Sequence, residues 1–348
     1  MGDRGMTKIY LIRHAEAEGN LYRLAQGHYD GLITERGYLQ IGALRRRFAD
    51  IPVDAVYSSD LFRARTTARA IYEPKGLPLH TDPALREVGM GVWEGRPWQE
   101  LGMEDPEQMY CFNRKMEDWH VEGGETIRQV LDRFLPALRK IAEDNDGRTV
   151  AVVSHGMVLR IVLGTLQGMT MEQLNATHHG DNTNVSLVEY ENGQFRVVFT
   201  NDNSHLTAEG LSTFARQTWW KDKHMAETGV YYGPMDDKAR AQLTAEGAEV
   251  PEGGHLTAVL YEGKAIGGVQ TMEDGQIRWY YLLPAWRGKR FGVPPLGQAV
   301  RYARELGLGS VWVEDPGQEL RPFFTKLGFR DEGGRMVKCI VPEEREIP

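Results

Sequence analysis

The sequence predicts two consecutive units: an N-terminal α/β unit with three layers (αβα) and a mainly parallel, doubly wound sheet, and a C-terminal α+β unit with a mixed sheet. The chain of 348 residues is longer than the ~100–200 residues of a typical domain. Up to about residue 200, short apolar runs alternate with segments of helical spacing, as is typical of buried parallel strands. Closely spaced strands follow, so we place the two units at residues 1–203 and 204–348.

Composition and charge narrow the classes of partner. The formal net charge is −8, which gives no general electrostatic reason to bind nucleic acid or an anionic membrane. No apolar run approaches the ~18–20 residues that span a bilayer, and the first residues lack the apolar core of a signal peptide. The two cysteines, Cys111 and Cys339, lie far apart in sequence and indicate a reducing compartment. We therefore expect a cytoplasmic protein.

Two of the predicted strands end close to a histidine. The strand at 8–12 is followed by Arg13 and His14, and the strand at 149–153 is followed one residue later by His155. In open α/β sheets, ligands bind at the edge formed by the carboxyl ends of the strands. A lone histidine at a strand end is more often structural than functional, so the inference depends on both histidines and their neighbours.

The segments between these strands carry helix signals. Thr34 is suited to cap one helix, and Asp60 is suited to cap a second helix that Pro74 ends. A short buried strand is predicted at 55–57, and Glu125 opens a longer helix with apolar residues at helical spacing. This alternation of strand and helix supports the doubly wound sheet.

Several cations and imidazoles are available for one anionic ligand. The planar guanidinium groups of Arg13 and Arg63 match the oxygens of a phosphate. A neutral histidine, such as His14 or His155, can attack phosphorus as a nucleophile. A nearby carboxylic acid can protonate the departing oxygen. Together these residues predict a phosphoryl site at the carboxyl edge of the sheet.

The segment LIRHAEAEGN (11–20) resembles the signature of the histidine phosphatase superfamily, which includes the cofactor-dependent phosphoglycerate mutases. Further segments match blocks of that family in the same order over residues ~7–200: LITERGYLQ, VYSSDLFRARTTARAI, LREVGMGVWEG, VEGGET and VVSHG. The chain departs from the family pattern at Ala15, where glycine is usual, and at Ala17, where threonine or serine is frequent. If position 15 required a positive φ, alanine would strain the loop and alter the site.

The resemblance implies a mechanism and a set of roles. His14 would accept the phosphoryl group as a phosphohistidine, and Glu87 would protonate the leaving alcohol and then activate water. Arg13, Arg63 and His155 would bind the phosphoryl oxygens. The further phosphate- or substrate-binding positions implied by the family are Asn20, Gln26, Gly27 and Gly156. No metal and no cofactor is implied for this unit, because the arginines supply the positive charge.

The activity implied is that of a phosphatase that hydrolyses a small phosphorylated metabolite. Phosphoglycerate mutase-type phosphotransfer is an alternative, although mutases of this family carry a longer insertion where this chain has residues 88–122. A non-catalytic phosphoryl-ligand sensor is another, although a binder needs neither a nucleophile nor an acid. The aromatic-rich segment 88–122 is expected to pack as a lid on the sheet or, alternatively, to line the pocket. His178 and His179 are expected at the surface or in a cap.

The last ~140 residues follow a different pattern. An amphipathic helix is predicted within 211–224, a hairpin around 262–263, and a later helix that begins at Pro294 or Pro295. The segments YLLPAWRGKRFG and FFTKLGF resemble the GNAT N-acetyltransferase superfamily. That resemblance implies backbone N–H groups at a helix N-terminus that bind the pyrophosphate of CoA.

The cofactor-binding residues implied by this second resemblance are Leu282, Leu283, Arg287, Gly288, Lys289, Arg290 and Gly292. Arg290 stands where the family has a glycine, and Phe324 stands where the family frequently has a tyrosine acid. Acetyl-CoA and an amine acceptor are therefore expected as partners only if the CoA site of the C-terminal unit is functional. The alternative is a solvated basic turn on a degraded site. Nothing in the sequence predicts the oligomeric state.

Overall fold

The computed structural model describes residues 5–214, 229–289, 291–343 and 345–348. The strands of the N-terminal sheet are β1 (Thr7–Arg13), β2 (Ala55–Ser58), β3 (Leu79–Thr81), β4 (Thr149–Ser154), β5 (Val185–Glu191) and β6 (Gln194–Asp202). They pair in the order β3-β2-β4-β1-β5-β6. The first four strands of that order are parallel, whereas β5 and β6 are antiparallel at one edge. The predicted, mainly parallel sheet is confirmed.

Helices cover both faces of this sheet. They are α1 (Glu18–Tyr22), α2 (Glu35–Arg47), α3 (Phe62–Lys75), α4 (Trp98–Glu104), α5 (Pro106–Arg114), α6 (Ile127–Asp144), α7 (Gly156–Leu166), α8 (Met171–Ala176) and α9 (Ser204–Thr207). Side chains of β1 alternate between the faces, as the period of a strand requires. Ile9 and Leu11 pack in an apolar cluster with α6 and α7, and Ile12 packs in another with α2 and α3. This is the three-layer αβα arrangement that the sequence predicts.

The register of the two central strands brings the two histidines together. β1 and β4 are parallel neighbours in which Arg13 lies opposite Ser154. The backbone N–H of His14 donates to the carbonyl of Ser154 at 2.9 Å. His14 and His155 therefore leave the sheet side by side at its carboxyl edge.

Local capping explains where two of the helices begin. The hydroxyl of Thr34 accepts a hydrogen bond from the Gly37 N–H at 3.0 Å, so its predicted capping role is confirmed. The long helix α6 begins after Thr126, whose hydroxyl accepts from the Gln129 N–H at 3.3 Å. The cap is thus one residue after Glu125, since only a side chain at the N-cap position reaches that amide.

The predictions for α3 are wrong at both ends. Asp60 does not cap the helix, which begins at Phe62, because its carboxylate binds the guanidinium of Arg86 at 2.7 Å. Pro74 does not end the helix either, but lies inside its last turn. The helix stops at Gly76, whose φ of 62° is in the left-handed region that glycine adopts without strain.

The C-terminal unit contains two small sheets. Its strands are β7 (Tyr231–Pro234), β8 (His255–Tyr261), β9 (Lys264–Thr271), β10 (Ile277–Leu282), β11 (Ser310–Val313), β12 (Arg330–Glu332) and β13 (Arg335–Cys339). The sheet orders are β10-β9-β8-β7 and β11-β13-β12, and a parallel bridge between Gln276 and Trp312 connects them. The helices are α10 (Asp237–Ala245), α11 (Leu296–Glu305) and α12 (Gly317–Lys326). The predicted α+β class is confirmed, whereas the helix predicted within 211–224 lies outside the described residues from position 215 onward.

The two units pack directly against each other. Tyr22 and Leu24, in and just after α1, belong to an apolar cluster that includes Leu296 and Val300 of α11. The end of the chain returns to the N-terminal unit, where Ile347 packs with α2 and α3. In the described ranges, every helix is too short or too polar to cross a membrane.

Candidate active site

A cavity of about 170 Å³ lies at the edge of the sheet where β1 and β4 end. The predicted site residues that line it are Arg13, His14, Asn20, Gln26, Gly27, Arg63, Glu87 and Gly156. His155 is not among the lining residues, but its ring centroid lies 5.2 Å from that of His14. The phosphoryl-site residues singled out in the sequence are therefore neighbours in space.

The side chain of His14 is buried and makes a hydrogen bond that sets its tautomer. Its Nδ1 lies 2.7 Å from the carbonyl oxygen of Ala15. Because a carbonyl oxygen only accepts, Nδ1 carries the proton and the lone pair is on Nε2. Burial, with the positive charges of Arg63 and Arg13, holds the pKa of His14 well below its ordinary value of 6.5. The ring is neutral at pH 7, and its unprotonated Nε2 can act as a nucleophile.

His155 is fully buried at the start of α7. Neither of its ring nitrogens has a hydrogen-bond partner among the described residues. Burial, with the positive charge of Arg63, lowers the pKa of His155 well below 6.5, so this ring is also neutral. Since buried polar groups in proteins are almost always hydrogen-bonded, the unpaired nitrogens are suited to a polar ligand.

The Arg63 guanidinium is completely buried and held by backbone carbonyls. Its Nη1 donates to the carbonyl of Tyr29 and its Nη2 to that of Gly27, both at 2.7 Å. Its Nε has no partner within the described ranges. Burial lowers the pKa of Arg63 to about 10, which still leaves it charged at neutral pH.

Arg13 provides a second buried cation. Its Nη1 donates to the carbonyl of Gly180 at 2.6 Å and lies 3.1 Å from Nδ1 of His179. Burial lowers the pKa of Arg13 to about 10, and the nearby carboxylate of Asp181 partly offsets this effect. Two positive charges therefore lie beside a neutral nucleophilic histidine, an arrangement that favours a bound phosphoryl group.

Two glycines allow groups of the site to approach closely. A Cβ atom on Gly156 would lie 2.9 Å from Nε of Arg13, so a larger residue would displace the guanidinium. Gly27 has a φ of 48°, and its Cβ would lie 2.9 Å from the backbone nitrogen of Met90. Both positions need glycine for a geometric reason.

Glu87 is held at the N-terminus of α7. Its Oε2 accepts from the Met157 N–H at 3.1 Å, and its Oε1 accepts from the Val158 N–H at 2.8 Å. The N–H of Val88 donates to Oε1 as well, at 3.0 Å. These amides orient the carboxyl group at the wall of the same cavity as His14.

Comparison with known proteins identifies the family. Residues 9–203, more than half of the 348 residues, match the histidine phosphatase superfamily (branch 1). The chain belongs to this superfamily. Residues 216–329 match the acetyltransferase (GNAT) family, so a histidine phosphatase domain and a GNAT domain are joined in one chain. Use of acetyl-CoA is a general property of the GNAT family.

Relatives cover the histidine phosphatase domain. A probable phosphoglycerate mutase, GpmB, of Yersinia pestis is 31% identical over 216 residues, which are 61% of this chain and 100% of that protein. The solved structure of YhfR from Bacillus stearothermophilus matches with a TM-score of 0.56 and 30% identity, over 57% of this chain and 99% of that one. A putative alpha-ribazole-5'-P phosphatase from Escherichia coli matches with a TM-score of 0.51 and 27% identity, over 56% and 96% of the two chains.

Ala15, the departure from the histidine phosphatase signature, causes no backbone strain. It is absent from the residues with positive φ in the described chain, so the position does not require glycine. Its N–H donates to the hydroxyl of Thr67 at 2.9 Å, and its side chain is fully buried. Position 15 does not require a positive φ, so alanine does not strain the loop.

The aromatic-rich segment 88–122 both packs on the sheet and lines the cavity. Trp93 and Trp119 are buried in the main apolar cluster, as expected of a lid packed on the sheet. Trp98 and Phe112 line the cavity instead, with ring centroids 5.2 Å apart. The ring of Trp93 contacts those of Trp98, Phe112 and Trp119, so the buried and the cavity-lining aromatic residues form one cluster. The packed lid therefore also provides an apolar wall for the site.

Some cavity residues were not found by reasoning from the sequence. His178 is exposed, as expected of a surface residue, but the expectation that His178 and His179 lie outside the pocket is wrong, because both line the cavity. Arg160 lines it as well, and donates to the hydroxyl of Thr177 at 3.0 Å. The segment 177–180 is irregular and has no periodicity that could have indicated this position.

The structure describes the surroundings of most of the residues implied to bind CoA. The guanidinium of Arg287 donates from Nε to the Leu282 carbonyl at 2.9 Å and lies 5.2 Å from the ring of Tyr281. The amide of Leu283 donates to the Ile266 carbonyl at 2.9 Å. Gly288 has a φ of 72°, and the ammonium group of Lys289 lies over the Trp286 ring. The carbonyl of Gly292 accepts a hydrogen bond from the Tyr280 hydroxyl. Arg290 lies outside the described residues.

The N-terminus of α11 does not offer free amides to a pyrophosphate. The N–H groups of Leu296, Gly297 and Gln298 donate to the carbonyls of the residues three positions earlier, at 3.0–3.2 Å. Pro294 and Pro295 have no N–H groups. The first turn of α11 therefore has no amide available for a pyrophosphate, whereas the implied loop before it includes position 290, which lies outside the described residues.

Proposed function

We propose that the chain is a phosphatase that hydrolyses a small phosphorylated metabolite through a phosphohistidine on His14. The observation that carries this proposal is the 2.7 Å hydrogen bond from Nδ1 of His14 to the Ala15 carbonyl, which leaves the lone pair on Nε2. In the first step Nε2 attacks phosphorus, an N–P bond forms, and the P–O ester bond breaks. In the second step water attacks phosphorus, the N–P bond breaks, and inorganic phosphate leaves.

Glu87 would transfer the protons of both steps. It gives a proton to the alcohol oxygen as the ester bond breaks, and takes one from water as the phosphohistidine is hydrolysed. The proposal is supported by the position of Glu87 on the wall of the same cavity and by the amides that orient its carboxyl group.

Arg13, Arg63 and His155 would bind the phosphoryl oxygens. The transition state of phosphoryl transfer spreads charge over three equatorial oxygens, and fixed donors at those oxygens lower the barrier. In support, Nε of Arg63 and both ring nitrogens of His155 are buried and have no partner among the described residues. The remaining members proposed for the phosphate and substrate site are Asn20, Gln26, Gly27 and Gly156.

The apolar wall favours a substrate with an apolar or aromatic part. Leu24, Met90, Trp98 and Phe112 line the cavity on this side. The name of the Escherichia coli relative, a putative alpha-ribazole-5'-P phosphatase, agrees with hydrolysis of an organic phosphate ester. Phosphoglycerate mutase-type transfer is the alternative suggested by the name of the Yersinia relative.

Rapid quenching with a phosphate ester labelled at phosphorus tests the proposal. We expect acid-labile label on the protein and release of inorganic phosphate. His14→Gln should abolish the label and lower kcat on the order of 10⁴-fold or more, as removal of a nucleophile does. His120→Gln is the matched control, because that side chain is exposed. Full turnover by His14→Gln would refute the mechanism.

Two further assays separate the alternative functions. Conversion of 3-phosphoglycerate to 2-phosphoglycerate without release of phosphate would indicate a mutase. Binding of vanadate without turnover of any phosphate ester in a broad screen would indicate a phosphoryl-ligand sensor.

For the C-terminal unit, acetyl transfer from acetyl-CoA to an amine is the second candidate, and its support is the match to the GNAT family. The amides at the start of α11 are already used, and Phe324 cannot donate a proton. We therefore infer that the first turn of α11 does not hold the pyrophosphate, which leaves that role to the loop before it. Calorimetry of the full chain with acetyl-CoA tests this candidate: saturable binding supports it, and no heat at high ligand concentration would exclude it.

We propose that the first unit comprises residues 1–203 and the second residues 204–348. Cytoplasmic localisation is supported by Cys111 and Cys339, the two cysteines of the chain, which are not joined in a disulfide.

A further inference from the structure

The C-terminal unit contacts the segment that forms one wall of the proposed phosphate site. That segment runs from α1 to Tyr29. Its cavity-lining members are Gly19, Asn20, Arg23, Leu24, Gln26 and Gly27. Tyr22, between them, is only 1% exposed and packs with α11 of the C-terminal unit. The segment therefore lies between the cavity and the second domain.

The contact between α1 and α11 is close enough to require glycine. A Cβ atom on Gly297 of α11 would lie 2.9 Å from Cβ and Cγ of Tyr22. Gly297 and Tyr22 thus allow the two helices to approach in a way that a larger residue would prevent. A second contact lies nearby, where a Cβ on Gly229 would meet the side chain of Gln99 at 2.5 Å.

One polar side chain of the C-terminal unit reaches into the same segment. Arg304 of α11 donates from Nη2 to Oε2 of Glu18 at 2.9 Å and from Nη1 to the hydroxyl of Tyr29 at 2.8 Å. Its Nε donates to the Ile340 carbonyl at 2.9 Å, which holds the guanidinium from its own domain. The Glu18 carboxylate is 2% exposed, so it depends on this counter-ion.

Tyr29 connects this contact to the proposed phosphate site. Its hydroxyl accepts from Arg304, while its carbonyl accepts from Nη1 of Arg63 at 2.7 Å. The other carbonyl that holds Arg63 belongs to Gly27, in the same segment. Displacement of Tyr29 would therefore move an acceptor on which the orientation of Arg63 depends.

We propose that Arg304 is a positioning residue for the phosphatase: the C-terminal domain, through Arg304, Glu18 and Tyr29, holds the segment that orients Arg63. The inference rests on the proposed role of Arg63 in binding the phosphoryl group. The GNAT-like domain then contributes to phosphate binding without touching the substrate. The contact between Arg304 and Tyr29 joins residues that are 275 positions apart in the sequence.

Titration of the full chain with inorganic phosphate, together with steady-state kinetics on one phosphate ester, tests this role. Arg304→Met should weaken phosphate binding and raise KM on the order of tenfold, because misplaced binding groups lose affinity steeply. Tyr29→Phe removes only the hydroxyl contact and should shift both quantities in the same direction by less. Arg304→Lys should recover part of the loss, since it returns one charge next to Glu18.

Arg301→Met is the matched control. Arg301 lies on the same helix, is exposed, and pairs only with Glu305 among the described residues. It should leave the phosphate affinity within about twofold. Variants that unfold at lower temperature yet bind phosphate with wild-type affinity would overturn the proposal and leave Arg304 as a purely structural link. A wild-type chain that binds no phosphate would overturn both this proposal and the proposed function.

Discussion

The ring centroids of His14 and His155 lie 5.2 Å apart, with an angle of 58° between the ring planes. Each ring follows the end of a central strand, and burial and nearby cations keep the pKa of each well below 6.5. They differ in one respect: Nδ1 of His14 is bonded to the Ala15 carbonyl, whereas both nitrogens of His155 are without a partner in the described chain. This asymmetry favours His14 as the nucleophile and His155 as a donor to the bound group.

Glu87→Gln should slow turnover without loss of phosphate binding. If Glu87 is the proton donor, its removal costs on the order of 10²–10⁴-fold in kcat, as for other general acids. The loss in kcat/KM, which reports the step that breaks the ester bond, should be greatest for an alkyl phosphate and small for p-nitrophenyl phosphate, whose leaving group needs little protonation. Kinetics on both esters measures this difference. Glu122→Gln, which changes an exposed carboxylate in the same region, is the control. Equal losses on both esters would exclude the acid role.

Gly156→Ala should weaken phosphate binding through Arg13. The added Cβ would lie 2.9 Å from Nε and 3.2 Å from Cζ of that arginine, so the guanidinium must shift. We expect an increase in the phosphate dissociation constant on the order of tenfold, the cost of about 1.4 kcal/mol of lost interaction. Isothermal titration measures it. Gly309→Ala, where the nearest atom is 4.0 Å from the added Cβ, should leave the affinity unchanged.

Ala15→Gly, which restores the usual family residue, should not raise activity. Ala15 has no positive φ, so glycine relieves no strain there. Glycine instead increases the conformational entropy of the unfolded chain, and the free energy of unfolding should fall by about 0.4–1 kcal/mol. Urea unfolding and kcat/KM on the same preparation check both parts. A severalfold gain in kcat/KM would contradict this account of the loop.

Much of the proposed site could be predicted because its main members occupy regular positions. Arg13 and His14 follow a wholly apolar strand, and His155 follows another, so their convergence at one sheet edge depends only on the strands being parallel neighbours. Arg63 lies in the first turn of a helix and was indicated by its chemistry, whereas Glu87 lies in a loop and only the family motif indicated it.

The missed residues are those whose placement depends on irregular segments or long-range packing. His179 contacts Arg13 from a stretch without periodicity, and the contact joins positions 166 residues apart. Asp60 has the chemistry of a helix cap, but Arg86 competes for its carboxylate from another loop. The contact of Arg304 with Tyr29 crosses between domains, and no local pattern encodes it.

The stability of the protein should decrease as the pH falls from 7 to 5. Burial holds the pKa of His155 well below 6.5 in the folded state, whereas the unfolded chain protonates this histidine as the pH falls through about 6.5. Between the two pKa values the unfolded state binds more protons, so acid favours unfolding. Below about pH 6, His155 thus contributes up to about 1.4 kcal/mol of lost stability per pH unit.

His155→Gln should make this dependence shallower. Glutamine does not titrate, so the difference in unfolding free energy between wild type and variant should shrink as the pH falls from 7 to 5. Urea unfolding at several pH values measures this difference. Val152→Ala, a cavity-forming change in the neighbouring strand, should lower stability equally at every pH, because it removes buried methyl groups and no titrating group. If the pH dependence of His155→Gln matches that of wild type, His155 is not kept neutral by the fold, and its assignment as a neutral donor to the phosphoryl group fails with it.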